Sequence, residues 1–299
     1  MSFAAVDVGG TKIVGALFGD DGASARIELP TPVVDGRADP GGVATQQVAA
    51  ALVDAASGGL RGVGVGVCEY VDSGRIDSRE VLGWPAGQDW LERSFGDVPV
   101  VVESDVRCGA LAEVGHGGLR GAASGYYVSW GTGLSGCLVV GGRLIEGSHG
   151  RAIALGELVV GGARLEDVAS GTAMAHRYRR EAGTAVAGAR EVMGLAAGGD
   201  GLAGEIVRSA GVALAEALAS VIRLLDPGLV VLGGGLGCAE TPAFSAMSVR
   251  LGELMGAGLP ETGVVHSALG PDGPLIGAAV VAGWRGSGGA LDVGGVDAP

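Results

Sequence analysis

Residues 6–12 read VDVGGTK and separate two short runs of apolar and β-branched residues, 3–8 and 13–18. Two such runs around a glycine turn predict a β-hairpin. A turn of this kind exposes backbone N–H groups that can surround a phosphate. An ordinary hairpin turn is the alternative, because 60 glycines among 299 residues produce short glycine patterns by chance. A phosphate site therefore needs further loops in the right structural setting.

The composition limits the kinds of partner. The net charge is −13 and no basic cluster offsets it, so we expect no binding to nucleic acid or to an anionic membrane surface. No apolar run reaches the roughly 18 residues that span a bilayer, and no basic-then-apolar leader opens the chain. The four scattered cysteines are typical of buried thiols in a reducing cytoplasm. We expect a cytoplasmic protein that acts on a small molecule.

The first part of the chain alternates strand and helix patterns. Residues 43–56 carry apolar side chains at helical spacing, and 62–67 and 98–104 read as buried strands. A helix pattern follows at 105–115. Asp105 is thus predicted at a strand-to-helix junction, where α/β sheets present side chains to ligands.

The second part repeats this plan. Residues 125–144 read as strand, glycine turn, strand, turn and strand, with the first turn at 131–133. A long amphipathic helix is predicted over 206–225, and a strand then runs into a triple-glycine turn at 233–235. That turn is able to admit an adenine or a ribose. We predict two related α/β lobes with a cleft between them.

Six stretches resemble the successive signatures of the ROK family (repressors, open reading frames and sugar kinases) of the actin-like ATPase superfamily. They read VDVGGTK, VVESDVRCGALAE, WGTGLSGCLVVGGRLIEG, LEDVASGTA, DPGLVVLGGG and GPLIGAA, between about residues 4 and 283. The family's repressors carry a helix-turn-helix before the first strand, which starts here at Phe3, so the resemblance favours the kinase branch. It implies two ribonuclease-H-like lobes. We expect these at 1–108 with about 274–284, the small N-terminal lobe, and at 109–273, the larger C-terminal lobe, with 285–299 a disordered tail.

The resemblance also implies an activity, the transfer of the γ-phosphate of ATP to a hydroxyl of a small sugar-like polyol by a homodimer. Asp105 matches the family's catalytic aspartate, the general base on the attacking hydroxyl. Asp7 is expected to hold Mg²⁺ through water. The phosphate- and nucleotide-binding residues implied are Gly9, Gly10, Thr11, Lys12, Gly131, Thr132, Gly133, Gly233, Gly234 and Gly235. The substrate-binding residues expected are Glu80, Ser104, Asp105, Glu157 and Glu166.

Several positions depart from the family's sugar kinases. Those usually read Glu-Asn-Asp where this chain has Glu-Ser-Asp at 103–105. They also carry Glu-x-Gly-His, and an ungapped match places Ala154 on the Glu and Glu157 on the His. A gapped match instead keeps Glu157 as the motif Glu and puts Val160 in place of the His. The ungapped match is preferred because the flanking residues stay in register.

In many members that His binds a structural zinc with three cysteines of a C-x-C-G-x-x-G-C segment. Residues 159–171 lack this segment, so no zinc site is expected. The Glu of the family's CLE survives as Glu166. In contrast, the usual Pro-Gly after the third strand is Cys68-Glu69, and a usual Asn four residues before Trp84 is Glu80.

These departures from the family pattern affect which acceptor the site is expected to bind. A site built for one pattern of hydroxyls rejects others, because unmatched buried polar groups are costly. Glucose is therefore disfavoured as the acceptor. The family's Glu that binds the anomeric end of the sugar is missing here, which favours a polyol without an ordinary anomeric hydroxyl, such as a C7-cyclitol. A hexose or an N-acetylhexosamine is the alternative acceptor, and a pseudokinase or ligand-binding regulator is the alternative class. The joint presence of Asp7, Lys12, Asp105 and Thr132 favours an enzyme.

Overall fold

The computed structural model of the chain describes residues 1–256 and 262–285, so the expected disordered tail lies almost wholly outside the described residues. The strands are β1 (Ser2–Val8), β2 (Lys12–Gly19), β3 (Gly22–Pro30), β4 (Val33–Val34), β5 (Arg37–Ala38), β6 (Leu60–Val67), β7 (Val71–Asp72), β8 (Arg75–Ile76), β9 (Val100–Ser104), β10 (Ser124–Trp130), β11 (Leu134–Val140), β12 (Arg143–Leu144), β13 (Val159–Val160), β14 (Ala163–Arg164), β15 (Leu229–Gly233) and β16 (Gly263–His266). The α-helices are α1 (Val43–Ala55), α2 (Asp89–Ser94), α3 (Asp105–His116), α4 (Glu166–Ala169), α5 (Gly171–Ala182), α6 (Ala189–Ala197), α7 (Gly201–Leu225), α8 (Gly234–Gly237), α9 (Pro242–Met255) and α10 (Gly273–Val281).

The chain divides into two compact units. Among the described residues, the first unit holds 1–120, 146–151 and 272–285, and the second holds 121–145, 152–256 and 262–271. The first unit includes the whole of α3, which the sequence-based boundary at residue 108 cuts. The reason is packing, since α3 lies against α10 and both helices contact the sheet of the first unit.

The first unit is built on a five-stranded sheet in the order β3-β2-β1-β6-β9. The hairpin strands β1 and β2 and their neighbour β3 are antiparallel, whereas β6 and β9 add to β1 in parallel. Residues 62–67 of β6 are all buried, as expected for a parallel strand covered on both faces. The predicted hairpin is therefore the start of a larger mixed sheet. Strand β3 escaped prediction because none of its residues is buried and they carry no clear alternation.

A close helix contact stabilises this unit beside the sheet. A Cβ atom at Gly277 of α10 would collide with the carbonyl oxygen of Cys108 on α3. Only glycine therefore lets the two helices approach to this distance. The contact fixes α3, and with it Asp105 at the start of that helix, against the sheet.

The second unit repeats the pattern of the first. Its five-stranded sheet has the order β12-β11-β10-β15-β16, with β10, β11 and β12 antiparallel and β15 and β16 parallel to β10. Helix α7 buries five residues of the predicted face, Ile206, Ala210, Leu214, Ala217 and Val221, whereas the sixth, Leu225, is exposed at the last position of the helix. The prediction of two related α/β lobes is confirmed.

One further property concerns the helices themselves. In the part of the chain that the structure describes, no helix combines the length and the apolar character that crossing a membrane would require.

Candidate active site

Asp7 and Asp105 lie around one glycine of the first sheet. Asp7 on β1 stands opposite Gly66 on β6, and Gly66 stands opposite Glu103 on β9, two residues before Asp105. A Cβ atom at Gly66 would lie 3.8 Å from Asp7 Oδ1 and 3.7 Å from Asp105 Cα. The parallel strands thus bring the two predicted acidic residues to the same end of the sheet, where α/β proteins bind ligands.

The surroundings of both aspartates disfavour their charged forms. Burial raises the pKa of Asp7 to about 8, with the charge of Asp105 adding to the shift and Lys12 opposing it. Burial likewise raises the pKa of Asp105 to about 6; the hydrogen bond from the Val106 amide opposes this shift, and the charge of Glu69 adds to it. A carboxylate with a pKa near 6 suits a general base at neutral pH.

The turn of VDVGGTK is held from one side by Thr31. The Gly9 amide donates to the Lys12 carbonyl over 3.0 Å and closes the turn. Thr31 Oγ1 donates to the Gly9 carbonyl over 2.7 Å, and its amide donates to the Thr11 carbonyl over 2.9 Å. Because the turn carbonyls are engaged by Thr31, the turn has a defined conformation before any ligand binds.

Lys12 belongs to a chain of ion pairs. Its Nζ lies 3.1 Å from Glu28 Oε2, and both side chains are half-exposed. Arg26 lies 3.4 Å from the same Glu28 oxygen and 2.9 Å from Asp272 Oδ1, just before α10. Lys12, Arg26 and Asp272 all act on the pKa of Asp7. The positive charge predicted for phosphate binding therefore lies close enough to influence Asp7.

Ser104 lies in the interior at the end of β9. The residue is 0% exposed, and within the described part of the chain its hydroxyl has no hydrogen-bond partner. Next to it, Glu103 Oε1 accepts the Ser104 amide over 2.7 Å and lies 2.8 Å from Nε of the buried Arg107. A direct contact between Ser104 and substrate stays a prediction.

Glu69 is a buried carboxylate whose role the sequence did not indicate. It is 5% exposed and follows β6. Its Oε1 accepts the amides of Val81 and Leu82, each over 2.7 Å, and its Oε2 accepts the Glu80 amide over 3.0 Å and the Ser78 hydroxyl. The only sequence signal was the substitution itself, a carboxylate directly after a buried strand. Glu80, a predicted substrate residue, is exposed on the loop that Glu69 holds.

The two glycine turns of the second unit lie against each other. A Cβ atom at Gly131 would be 3.4 Å from the Gly235 amide nitrogen. The start of α5 holds the first turn, because the Gly171 amide donates to the Gly131 carbonyl over 2.8 Å and the Thr172 amide to the Thr132 carbonyl over 3.1 Å. The predicted loops 131–133 and 233–235 are therefore parts of one backbone surface.

Gly234 is required by the conformation of the second turn. Its φ is +77°, and a Cβ atom there would lie 2.5 Å from the carbonyl oxygen of Trp130. Both the positive φ and the close approach exclude a side chain. Gly233, immediately before it, is buried at the end of β15, and Gly235 is exposed.

Glu157 and Glu166 are joined by an arginine that the sequence analysis did not single out. Arg164 Nη2 lies 2.9 Å from Glu157 Oε1 and 3.4 Å from Glu166 Oε2. Glu166 Oε1 accepts the amide of Leu134, directly after the 131–133 turn, over 3.0 Å. The two predicted substrate residues of this unit are thus brought together, and Glu166 also contacts the hairpin of β10 and β11, which carries the predicted phosphate turn.

The metal-binding types of side chain do not cluster in the described part of the chain. Among the residues described, no three His, Cys, Asp or Glu side chains form a group suited to holding a metal ion. His149, in the segment compared with the zinc-binding pattern, is exposed. The absence of zinc stays a prediction.

Comparisons with known proteins show one family over most of the chain. A family model described as ROK family matches residues 3–284. A bifunctional enzyme NanE/NanK of Brucella melitensis biotype 1 is 34% identical over an alignment of 288 residues that covers 93% of this chain and 53% of that protein. The chain thus spans about half the length of this curated relative.

In two further comparisons the aligned region covers most of both proteins. A glucokinase of Halalkalibacterium halodurans is 31% identical over 271 residues, covering 78% of this chain and 80% of that protein. The crystal structure of a ROK family glucokinase from Streptomyces griseus, in complex with glucose and AMPPNP, superposes with a TM-score of 0.80 at 25% identity, over 94% of this chain and 99% of that one.

Proposed function

Because the chain belongs to the ROK family, we propose that it is an ATP-dependent kinase that phosphorylates a hydroxyl of a small sugar-like polyol. The observation that carries the proposal is the placement of Asp7 and Asp105 around Gly66, at one end of the parallel strands. Asp105 is assigned to the acceptor hydroxyl and Asp7 to the metal. The glucokinase relatives, one of them crystallised with glucose and AMPPNP, support the choice of reaction.

Asp105 is assigned as the general base. Its Oδ1 accepts the Val106 amide over 2.6 Å, so Oδ2 is the oxygen we assign to the proton of the attacking hydroxyl. The pKa of about 6, raised mainly by burial, leaves the carboxylate ionised at neutral pH and still basic enough to accept that proton. Positioning and charge neutralisation supply most of the rate in phosphoryl transfer, so one correctly placed base is sufficient.

Asp7 fits a role at Mg²⁺. Its carboxylate offers the oxygen ligands that Mg²⁺ prefers, and its raised pKa shows that nearby positive charge does not offset its burial. Bound Mg²⁺ neutralises charge on the phosphates. We assign the phosphates to the backbone and side chains of Gly9 to Lys12 and to the turn 131–133, and the adenosine to the turn 233–235.

The acceptor is proposed to be a polyol that lacks an ordinary anomeric hydroxyl, such as a C7-cyclitol. In support, Ala154 stands where the family's Glu reads the anomeric end, and Glu157 is engaged by Arg164 at 2.9 Å. Ser104 is shorter than the family's Asn and is buried. A hexose or an N-acetylhexosamine is the second candidate, favoured by relatives named glucokinase and N-acetylmannosamine kinase. We also propose a cytoplasmic homodimer.

One experiment tests the reaction and the acceptor together. ADP release is measured with ATP and Mg²⁺ over a panel of hexoses, N-acetylhexosamines, linear polyols and cyclitols. Selective turnover of a cyclitol is expected. Turnover of glucose at ordinary kinase rates would refute the acceptor, and tight binding of one panel member without any turnover would favour a ligand-binding regulator instead.

A further inference from the structure

One buried carboxylate gathers the backbone of an entire loop. Glu69 accepts three consecutive amides, those of Glu80, Val81 and Leu82, together with the Ser78 hydroxyl. The segment 78–82 has no helix and no ladder strand to satisfy these groups. Without Glu69, three neighbouring N–H groups would lose their protein partner, and an unsatisfied group of this kind costs about 1–3 kcal/mol where water cannot replace the partner.

The four hydrogen bonds also explain how an acidic side chain is tolerated at this position. A carboxylate that is 5% exposed is costly to bury unless its oxygens are fully hydrogen-bonded. Each Glu69 oxygen accepts two hydrogen bonds from the loop, so loop order and burial of the charge depend on each other. The loop conformation is therefore specified by one side chain.

The loop held in this way lies beside the phosphate turn of the proposed site. Glu80 is exposed at its centre. A Cβ atom at Gly10, in the phosphate turn, would lie 3.8 Å from Val81 Cγ1. On the other side, the Val81 carbonyl accepts the Ala38 amide over 2.9 Å. The loop thus links an acceptor-side carboxylate with the backbone of the VDVGGTK turn.

We propose that Glu69 is a positioning residue for phosphoryl transfer, which holds the 78–82 loop so that Glu80 meets the acceptor and Val81 packs beside the phosphate turn. The inference rests on the proposed kinase function. It assigns to Glu69 no contact with substrate. It makes acceptor binding depend on a side chain that lies beneath the loop.

Glu69 acts on the site a second way, through its charge. Burial is the largest cause of the raised pKa of Asp105, and the hydrogen bond from the Val106 amide opposes it. The charge of Glu69 raises this pKa further. The charge of Asp105 in turn raises the pKa of Asp7 on β1, of Cys68 after β6 and of Cys108 on α3. Position and charge of Glu69 are separable, because aspartate shortens the side chain and keeps its charge, whereas glutamine keeps the length, removes the charge and replaces one acceptor oxygen with a donor.

The test compares Glu69→Asp with Glu69→Gln in the full chain, using the acceptor found in the panel. Glu69→Asp keeps the charge but cannot reach all four donors, so we expect the acceptor KM to rise about tenfold, with the ATP KM changing no more than about threefold. The acid limb of its pH–rate profile should stay in place. Glu69→Gln should raise the acceptor KM similarly and also move that limb to lower pH.

The matched control is Glu113→Gln. Glu113 is a fully buried carboxylate on α3 that accepts the Gly118 amide over 2.7 Å, and its loss should lower stability without changing the acceptor KM or the acid limb. If Glu69→Asp keeps the wild-type acceptor KM while the wild type is active, the inference is wrong and the proposed function stands. A wild type that turns over no acceptor refutes the proposed function, and the inference with it.

Discussion

Arg164 Nη2 lies 2.9 Å from Glu157 Oε1. This ion pair joins the hairpin of β13 and β14 to the preceding 3₁₀ turn, Leu155–Glu157. The same guanidinium nitrogen reaches Glu166 at 3.4 Å. Arginine is thus the common partner of both carboxylates expected to bind the acceptor in this unit. Its planar donors can fix the directions of two carboxylates at once.

Arg164→Ala should raise the acceptor KM by about threefold to tenfold, because both carboxylates lose a fixed direction. The free energy of unfolding should fall by less than about 1 kcal/mol, since exposed ion pairs contribute little to stability. Steady-state kinetics and urea unfolding measure the two effects. Arg250→Ala, which removes another half-exposed ion-paired arginine of this unit, is the control. An acceptor KM unchanged by Arg164→Ala would exclude the ion pair from acceptor binding.

Asp105→Asn should lower turnover by about 10²–10⁴-fold, the usual contribution of a general base. Nucleotide affinity should stay within about twofold of wild type, because the base acts only on the acceptor hydroxyl. Turnover is followed by ADP release, and affinity by calorimetry with a non-hydrolysable ATP analogue. Asp54→Asn, at an exposed carboxylate of α1, is the control. A fully active Asp105→Asn would remove Asp105 from this role.

At saturating Mg²⁺, which favours the charged form of Asp7, the pH dependence of kcat/KM should show an acid limb near pH 6. Burial raises the pKa of Asp105 to about 6, and a general base works only when it is deprotonated. Activity is therefore retained above this pH and falls about tenfold per unit below it. Rates measured between pH 4.5 and 8 test the limb, after incubation controls exclude acid unfolding. A profile that stays flat down to pH 4.5 would contradict the assignment of the base.

Gly234→Ala should destabilise the protein, whereas Gly235→Ala should not. The first substitution places a Cβ atom at a φ of +77° and 2.5 Å from the Trp130 carbonyl oxygen, while a Cβ at Gly235 meets open space. Forcing a methyl into a packed site typically costs about 1–3 kcal/mol. Urea unfolding of the two adjacent variants provides the comparison. Equal stabilities would mean that the turn relaxes more readily than its geometry indicates.

Purified protein should contain no stoichiometric zinc. The cysteine ligands of the family's zinc segment are missing from residues 159–171, and Arg164 and Glu157 form an ion pair in this region. Elemental analysis after extensive dialysis checks the expectation. One zinc per chain would show that the sequence match over 147–166 is misplaced.

Local signals allowed much of the fold to be predicted. The hairpin of β1 and β2, the buried strand β6 and the face of α7 each follow from apolar periodicity and glycine turns within a few residues. Strand β3 escaped because none of its residues is buried, and the hairpin of β13 and β14 escaped because each of its strands has only two residues. Such segments carry little periodicity, and their pairing depends on neighbours elsewhere in the sheet.

The sequence by itself determined the order of the loops and the position of Asp105 at the start of a helix, because these depend on residues adjacent in the chain. Only the tertiary structure decided the partners of the carboxylates. Glu69 bonds the loop 78–82, and Arg164 joins Glu157 to Glu166. The Glu69 contacts depend on where the backbone returns after about ten residues and on which buried groups still need a partner. The Arg164 ion pairs are half-exposed and depend on how the short hairpin of β13 and β14 places that arginine between the two carboxylates.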